Sequence, residues 1–169
     1  MLKKNAVTKA SAKGLRFAIV ASRYNARYVD SMVLAASECL AKAKASKVDV
    51  IRVPGAFEIP VVVGRLASHG YGGEKENEGD GEEGATGYHA VICLGLIIRG
   101  ETSHADHIGL SVTQALAEAQ LYSGVPVIHE VLVVANEQQA EARCVDPKHN
   151  RGAEAASTAI DMARLMKTL

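Results

Sequence analysis

Tryptophan is absent from this 169-residue chain, and other aromatics are scarce: two phenylalanines and five tyrosines. The core must therefore be built from aliphatic side chains, and an aromatic ring outside it calls for a reason. Cysteine is equally sparse. Cys39, Cys93 and Cys144 are odd in number and show no C-x-x-C spacing, which argues against a disulfide framework and fits a reducing compartment, by default the cytoplasm. Neither sign of charge is in excess: 19 basic and 19 acidic side chains give a formal net charge of zero. That balance removes the general electrostatic case for nucleic acid or an anionic membrane as partner, so any anion site must be local. No apolar run approaches the roughly 18 residues of a membrane span. The basic stretch 1–14 lacks the apolar segment of a secretory signal and is expected to be a flexible N-terminal arm; an amphipathic targeting peptide is the open alternative for it. No G-x-G-x-x-G follows the first strand, and neither G-x-x-x-x-G-K-[ST] nor G-x-S-x-G occurs, so dinucleotide, nucleoside triphosphate and serine-hydrolase chemistry lack their usual support.

What the chain does have is apolar material, 48% of its residues, in short runs that alternate in period. Residues 15–21, 48–53, 90–98 and 125–134 read as strands. Residues 29–44, 59–68, 103–122, 136–143 and 150–167 have helical spacing, the second of these opened by Pro60. Strands alternating with helices predict an α/β doubly wound fold with a parallel sheet of four main strands in a single domain, 15–169. The run 90–98 is continuous rather than alternating, as a central strand covered on both faces requires. One stretch stands apart. Residues 72–87 hold six glycines, six carboxylates and no large apolar side chain, and are expected to form an acidic surface loop; their spacing does not match a calcium loop.

Parallel sheets place ligands at the carboxyl ends of their strands, and three such ends here carry unusual turns. After the first comes Ser22-Arg23-Tyr24-Asn25, after the second Pro54-Gly55-Ala56-Phe57-Glu58, and after the third Arg99-Gly100-Glu101-Thr102-Ser103-His104. Tyr24 and Phe57 spend two of the few aromatics in loops, where a ring either covers the turn or stacks on a planar ligand. The third turn predicts a helix N-terminus capped by Thr102 or Ser103, with Asp106 three positions after Ser103. Such a terminus presents backbone N–H groups and the positive end of a dipole to an anion. His104 falls in its first turn, and histidine is the side chain that exchanges protons near neutrality. Phosphate binding beside an acid/base group is the chemistry this spacing suggests. His104, His107 and His129 offer only a weak metal pattern, because zinc needs three or four ligands at defined spacing; no metal is expected.

Taken together, PGAFEIP at 54–60, IRGETSH at 98–104, GVPVI at 124–128, EQQAEAR at 137–143 and HNRGAEAA at 149–156 resemble the 6,7-dimethyl-8-ribityllumazine synthases of riboflavin biosynthesis. The resemblance covers about residues 15–167 apart from the acidic segment. It implies a flavodoxin-like three-layer sandwich and the condensation of 5-amino-6-(D-ribitylamino)uracil with 3,4-dihydroxy-2-butanone 4-phosphate, releasing phosphate and water. The amine that forms the imine belongs to the substrate, so neither a catalytic lysine nor a cofactor is implied. By the same resemblance His104 is the general acid/base. Arg143 binds the phosphate together with backbone N–H groups at Glu101 and Thr102. Tyr24 stacks on the pyrimidine with Asn25 beside it. Ala56, Phe57 and Glu58 hold the ribityl chain, and Leu96, Ile97 and Ile98 offer backbone groups to the uracil edge.

Some positions depart from the family pattern. His129 stands where a neighbouring subunit usually contributes phenylalanine, Val133, Val134 and Ala135 replace a threonine-rich turn, and Ala105 and His107 replace two aromatics. Arg151 stands for the more frequent lysine, alike in charge but not in geometry. The resemblance also implies a homopentamer with sites shared between subunits, and in many members a shell of twelve pentamers. Two other functions stay open on this scaffold: an archaeal-type riboflavin synthase, and a non-catalytic flavin-binding or assembly protein.

Overall fold

The continuous apolar run becomes the middle of the molecule. In the computed structural model, which describes residues 10–69, 71 and 87–169, strand β3 (Ala90–Ile98) lies between β1 (Arg16–Ser22) and β4 (Val127–Val134), with β2 (Lys47–Val53) beyond β1. All pairings are parallel and the order is β2-β1-β3-β4. The chain steps from β1 outward to β2, then crosses back to β3 on the other side. That reversal leaves a crevice at the carboxyl ends of β1 and β3, because the connections leaving the two strands diverge to opposite faces.

Among the described residues five helices cover the sheet. Helices α1 (Ala26–Lys42), α4 (Glu137–Cys144) and α5 (Arg151–Met166) pack on one face over Phe17, Ile19, Ile92 and Leu94. Helices α2 (Ile59–Ala67) and α3 (His104–Ser123) pack on the other over Ala18, Val20, Val91 and Cys93. Successive residues of β1 and β3 thus feed opposite cores, as the two-residue period of a strand dictates. The result is the expected three-layer sandwich.

Close approaches are made where side chains are missing. A Cβ on Gly152 of α5 would overlap the Met32 carbonyl of α1, and one on Gly109 of α3 would fall 2.5 Å from Val133 Cγ2 of β4. Within the expected N-terminal arm, Ala12 is fully buried and its N–H donates 2.7 Å to the Ala43 carbonyl. Residues 1–9 of that arm lie outside the described residues, as do residues 72–86 of the expected acidic loop.

The element boundaries differ from the reading of the sequence in instructive places. Helix α1 starts three residues before the expected Val29, because Asn25 takes a left-handed backbone (φ 56°) and its carbonyl accepts from the Tyr28 and Val29 N–H groups. Strand β4 starts at Val127 rather than 125: Pro126 has no N–H for the ladder, although its carbonyl still accepts from Val91.

Candidate active site

The crevice at the switch point is a cleft of about 570 Å³ lined by Tyr24, Asn25, residues 55–58, Leu96, Ile97, Ile98 and one face of α3. Its floor is set by strand length. Strand β3 runs on from Gly95 to Ile98 after its last pairing with β1 at Leu94, while the other edge of this stretch stays paired with β4. Backbone groups on the β1 side of that overhang are released to the cleft, and one is already used: Asn25 Nδ2 donates 2.8 Å to the Leu96 carbonyl. Asparagine suits this place twice over, tolerating the left-handed backbone and reaching the neighbouring strand.

The walls are aromatic. The turn after β1 is stitched to the turn after β2 by Arg23 N–H to the Val53 carbonyl (2.8 Å) and Tyr24 N–H to the Pro54 carbonyl (3.3 Å). The Tyr24 ring and the Glu58 carboxylate close over Gly55, where an added Cβ would stand 3.3 Å and 2.8 Å from them. Phe57 and Glu58 belong to a 3-10 turn (Ala56–Glu58) that runs into α2. Tyr24 is 73% exposed and Phe57 61%, so two of the seven aromatic rings face solvent at one cleft instead of adding to the core.

The remaining wall is the start of α3. His104 is its first residue and lines the cleft with His107, Ile108 and Ser111, which recur at helical spacing on the same face. The expected cap is not formed as read. Ser103 occupies the N-cap position without a side-chain bond to the backbone, and its hydroxyl lies 3.2 Å from His107 Nε2. Thr102 Oγ1 accepts a long 3.4 Å bond from the His104 N–H. Asp106 turns back instead to Arg99, taking Nη2 at 2.7 Å and Nε at 2.9 Å on one oxygen. A nearby guanidinium outcompetes the helix amides for that carboxylate.

The structure therefore gathers Tyr24, Asn25, Ala56, Phe57, Glu58, Leu96, Ile97, Ile98 and His104 at one cleft, with Glu101 and Thr102 exposed in the turn beside it. Two expected site residues lie elsewhere in the same chain. His129 sits half-buried on β4 with Nε2 2.9 Å from Thr113 Oγ1, and burial lowers its proton affinity. Arg143 lines a second cavity of about 370 Å³ with Leu132, Val133, Val134, Gln139 and Arg151, near the carboxyl end of β4. His107, Ile108 and Ser111 also line the cleft, as does Gly55 of the turn after β2. The 3.6-residue period counted from His104 would have found the first three.

Chemically, the cleft can take a flat polar ring against an aromatic wall, read its edge with backbone groups and offer an imidazole for proton transfer. Among the described residues neither lysine nor cysteine lines it. Cys93 lies buried in β3, where burial holds its thiol protonated.

Comparison with known proteins gives the family. Residues 14–167 match the sequence profile of 6,7-dimethyl-8-ribityllumazine synthase. The chain is 40% identical over 156 residues to the 6,7-dimethyl-8-ribityllumazine synthase of Xanthomonas oryzae pv. oryzae (strain PXO99A), covering 91% of each chain. It is 38% identical to that of Thermococcus onnurineus (strain NA1), covering 92% of this chain and 91% of the relative. Against that of Stenotrophomonas maltophilia (strain R551-3) the figures are 39%, 91% and 90%. With the profile spanning nearly the whole described fold and relatives this similar along their own length, the chain belongs to the 6,7-dimethyl-8-ribityllumazine synthase family.

Proposed function

We propose that this chain is the transferase that condenses 5-amino-6-(D-ribitylamino)uracil with 3,4-dihydroxy-2-butanone 4-phosphate to 6,7-dimethyl-8-ribityllumazine, releasing phosphate and water, in riboflavin biosynthesis. Family membership supports the reaction. The observation that carries the site assignment is the aromatic-walled cleft with His104 at its edge. The substrate amine is the nucleophile. The protein has to bring two molecules together, hold the phosphate ester and move protons during carbinolamine dehydration, phosphate elimination and ring closure.

In this reading Tyr24 stacks on the pyrimidine, the free edge of β3 at Leu96, Ile97 and Ile98 reads the uracil, and Asn25 holds that edge in place. Residues 56–58 take the ribityl chain. His104 exchanges protons with the reacting carbons and nitrogens. The phosphate lies against the turn at Glu101 and Thr102 and is neutralised by Arg143. Because Arg143 lines a different cavity of the chain from His104 and His129 is not among the residues that line the cleft, both are assigned to the cleft of an adjacent copy. A closed ring of identical subunits, a homopentamer, satisfies every cleft in this way, and pentamers can build a larger shell. The three free cysteines suit work in the cytoplasm.

The test is direct. Purified chain mixed with the two substrates is expected to raise lumazine absorbance and release inorganic phosphate in equal amounts. Turnover of lumazine alone, with no need of the phosphorylated substrate, would overturn the assignment in favour of a riboflavin synthase.

A further inference from the structure

Outside the cleft, one cluster of ionised side chains is unusual for its burial. Glu130 lies on β4 between Ile128 and Leu132, on the face covered by α4 and α5, and its side chain is only 17% exposed. Its nearest cation is Arg151 at the start of α5, with Nη1 3.9 Å from Oε1. Arg151 is held more tightly by Glu154, Nη1 to Oε2 at 2.6 Å, and its Nε is buried with no hydrogen-bond partner among the described residues. Arg151 and Arg143 line the same 370 Å³ cavity. A buried guanidinium donor left unsatisfied beside an open cavity is what an anion oxygen would complete.

Among the described residues the groups facing Glu130 are few. From α5 come Arg151 and Glu154, and from α4 come Arg143 and Cys144, the thiol of which is pushed up to about 11 by burial and by Glu130 and Glu141. Glu141 itself is paired with Arg27 at 2.9 Å. With Glu130 ionised, two carboxylates balance two guanidinia. With Glu130 protonated, the cluster carries one net positive charge. The balance lies close to neutral pH, because burial first and Glu154 second push the Glu130 carboxyl up to about 7 against the pull of both arginines.

We propose that Glu130 sets the charge of the cavity that Arg151 shares with Arg143, so that the grip of this arginine pair on an anion strengthens when Glu130 takes up a proton. The inference rests on the reading of Arg143 as a phosphate ligand. By linkage, an anion that binds the protonated form more tightly also draws a proton onto Glu130.

Inorganic sulfate is a suitable probe, since its charge does not change near neutrality. In the assembled parent enzyme its inhibition against the phosphorylated substrate is expected to weaken roughly three- to tenfold between pH 6 and pH 8. In Glu130→Gln the inhibition should be flat over that range and as tight as the parent at pH 6, with KM for the pyrimidine unmoved. Glu154→Gln keeps Glu130 but removes the neighbouring negative charge, so the pH step should survive at lower pH. An unchanged step in either variant overturns the proposal, and either variant suffices if the other does not fold. Arg143→Ala separates the two readings. If it abolishes sulfate inhibition while Glu130→Gln keeps the parental slope, Glu130 is excluded and the phosphate role of Arg143 stands. If it leaves inhibition intact, both readings fall.

Discussion

His104 is the residue on which the proposed chemistry concentrates. Replacing it with alanine removes a proton-transfer group while leaving Tyr24, Asn25 and the β3 edge in place. His104→Ala is therefore expected to lower kcat by roughly 10²–10⁴ with pyrimidine binding nearly unchanged, measured by stopped-flow absorbance and by equilibrium titration. Asn25 does a different job. Its φ of 56° and its bond to the Leu96 carbonyl make it a structural tie between α1 and the cleft floor. Asn25→Gly keeps the backbone freedom and loses only the bond, whereas Asn25→Ala loses both. The alanine variant should be the less stable, by about 1 kcal/mol, in parallel urea titrations. An equal effect would mean the left-handed backbone carries no strain there. His104 was legible as a site residue from its place after a strand and a turn. The partner chosen by Asp106 was not, because it depends on Arg99 folding back across the turn.

At the scale of elements, the helices over β3 and β4 meet with little room. Gly152→Ala would drive a methyl into the Met32 carbonyl where α5 crosses α1. A cost of about 1–3 kcal/mol or more is expected for such overpacking, seen as a fall in Tm of roughly 2–4 °C per kcal/mol. Glu130 gives a prediction of opposite sign. Its folded-state carboxyl sits at about 7, above the ordinary 4.5, so between those values the folded chain holds more protons than the unfolded one and stability falls as pH rises through the window. Glu130→Gln should therefore stabilise the fold at pH 8 by about 1–3 kcal/mol and leave it unchanged near pH 4, by thermal melts at both. Most elements could be read from hydrophobic period. The span 90–98 matches β3 residue for residue, because a strand buried on both faces leaves an uninterrupted apolar record. The start of helix α1 is not legible in the sequence, because Ala26 and Arg27 add little to the apolar period and the turn depends on Asn25. Meanwhile Glu130, Arg143 and Arg151 come from three elements and could not be seen as a cluster before those elements were packed.

For the whole molecule, the division of expected site residues between two surfaces sets the main test of assembly. If His104 of one copy works with Arg143 of the next, His104→Ala and Arg143→Ala chains are each poorly active alone. Dissociated, mixed one to one and reassembled, they should form sites with both residues intact at about a quarter of the interfaces. Recovery of about a quarter of parental turnover is the expected result, and mixtures no more active than the separate variants would mean that each chain completes its own site. Light scattering on the same samples reads the size of the assembly.

One detail of the sheet bears on how such an enzyme could be blocked. From Gly95 to Ile98, β3 has no β1 neighbour, and what it offers there is main chain. Peptide amides are the same whatever the codon, so a drug anchored to them meets a surface that single amino-acid exchanges leave in place. Resistance would have to come from remodelling the strand or crowding the pocket, routes that also threaten the enzyme's own turnover.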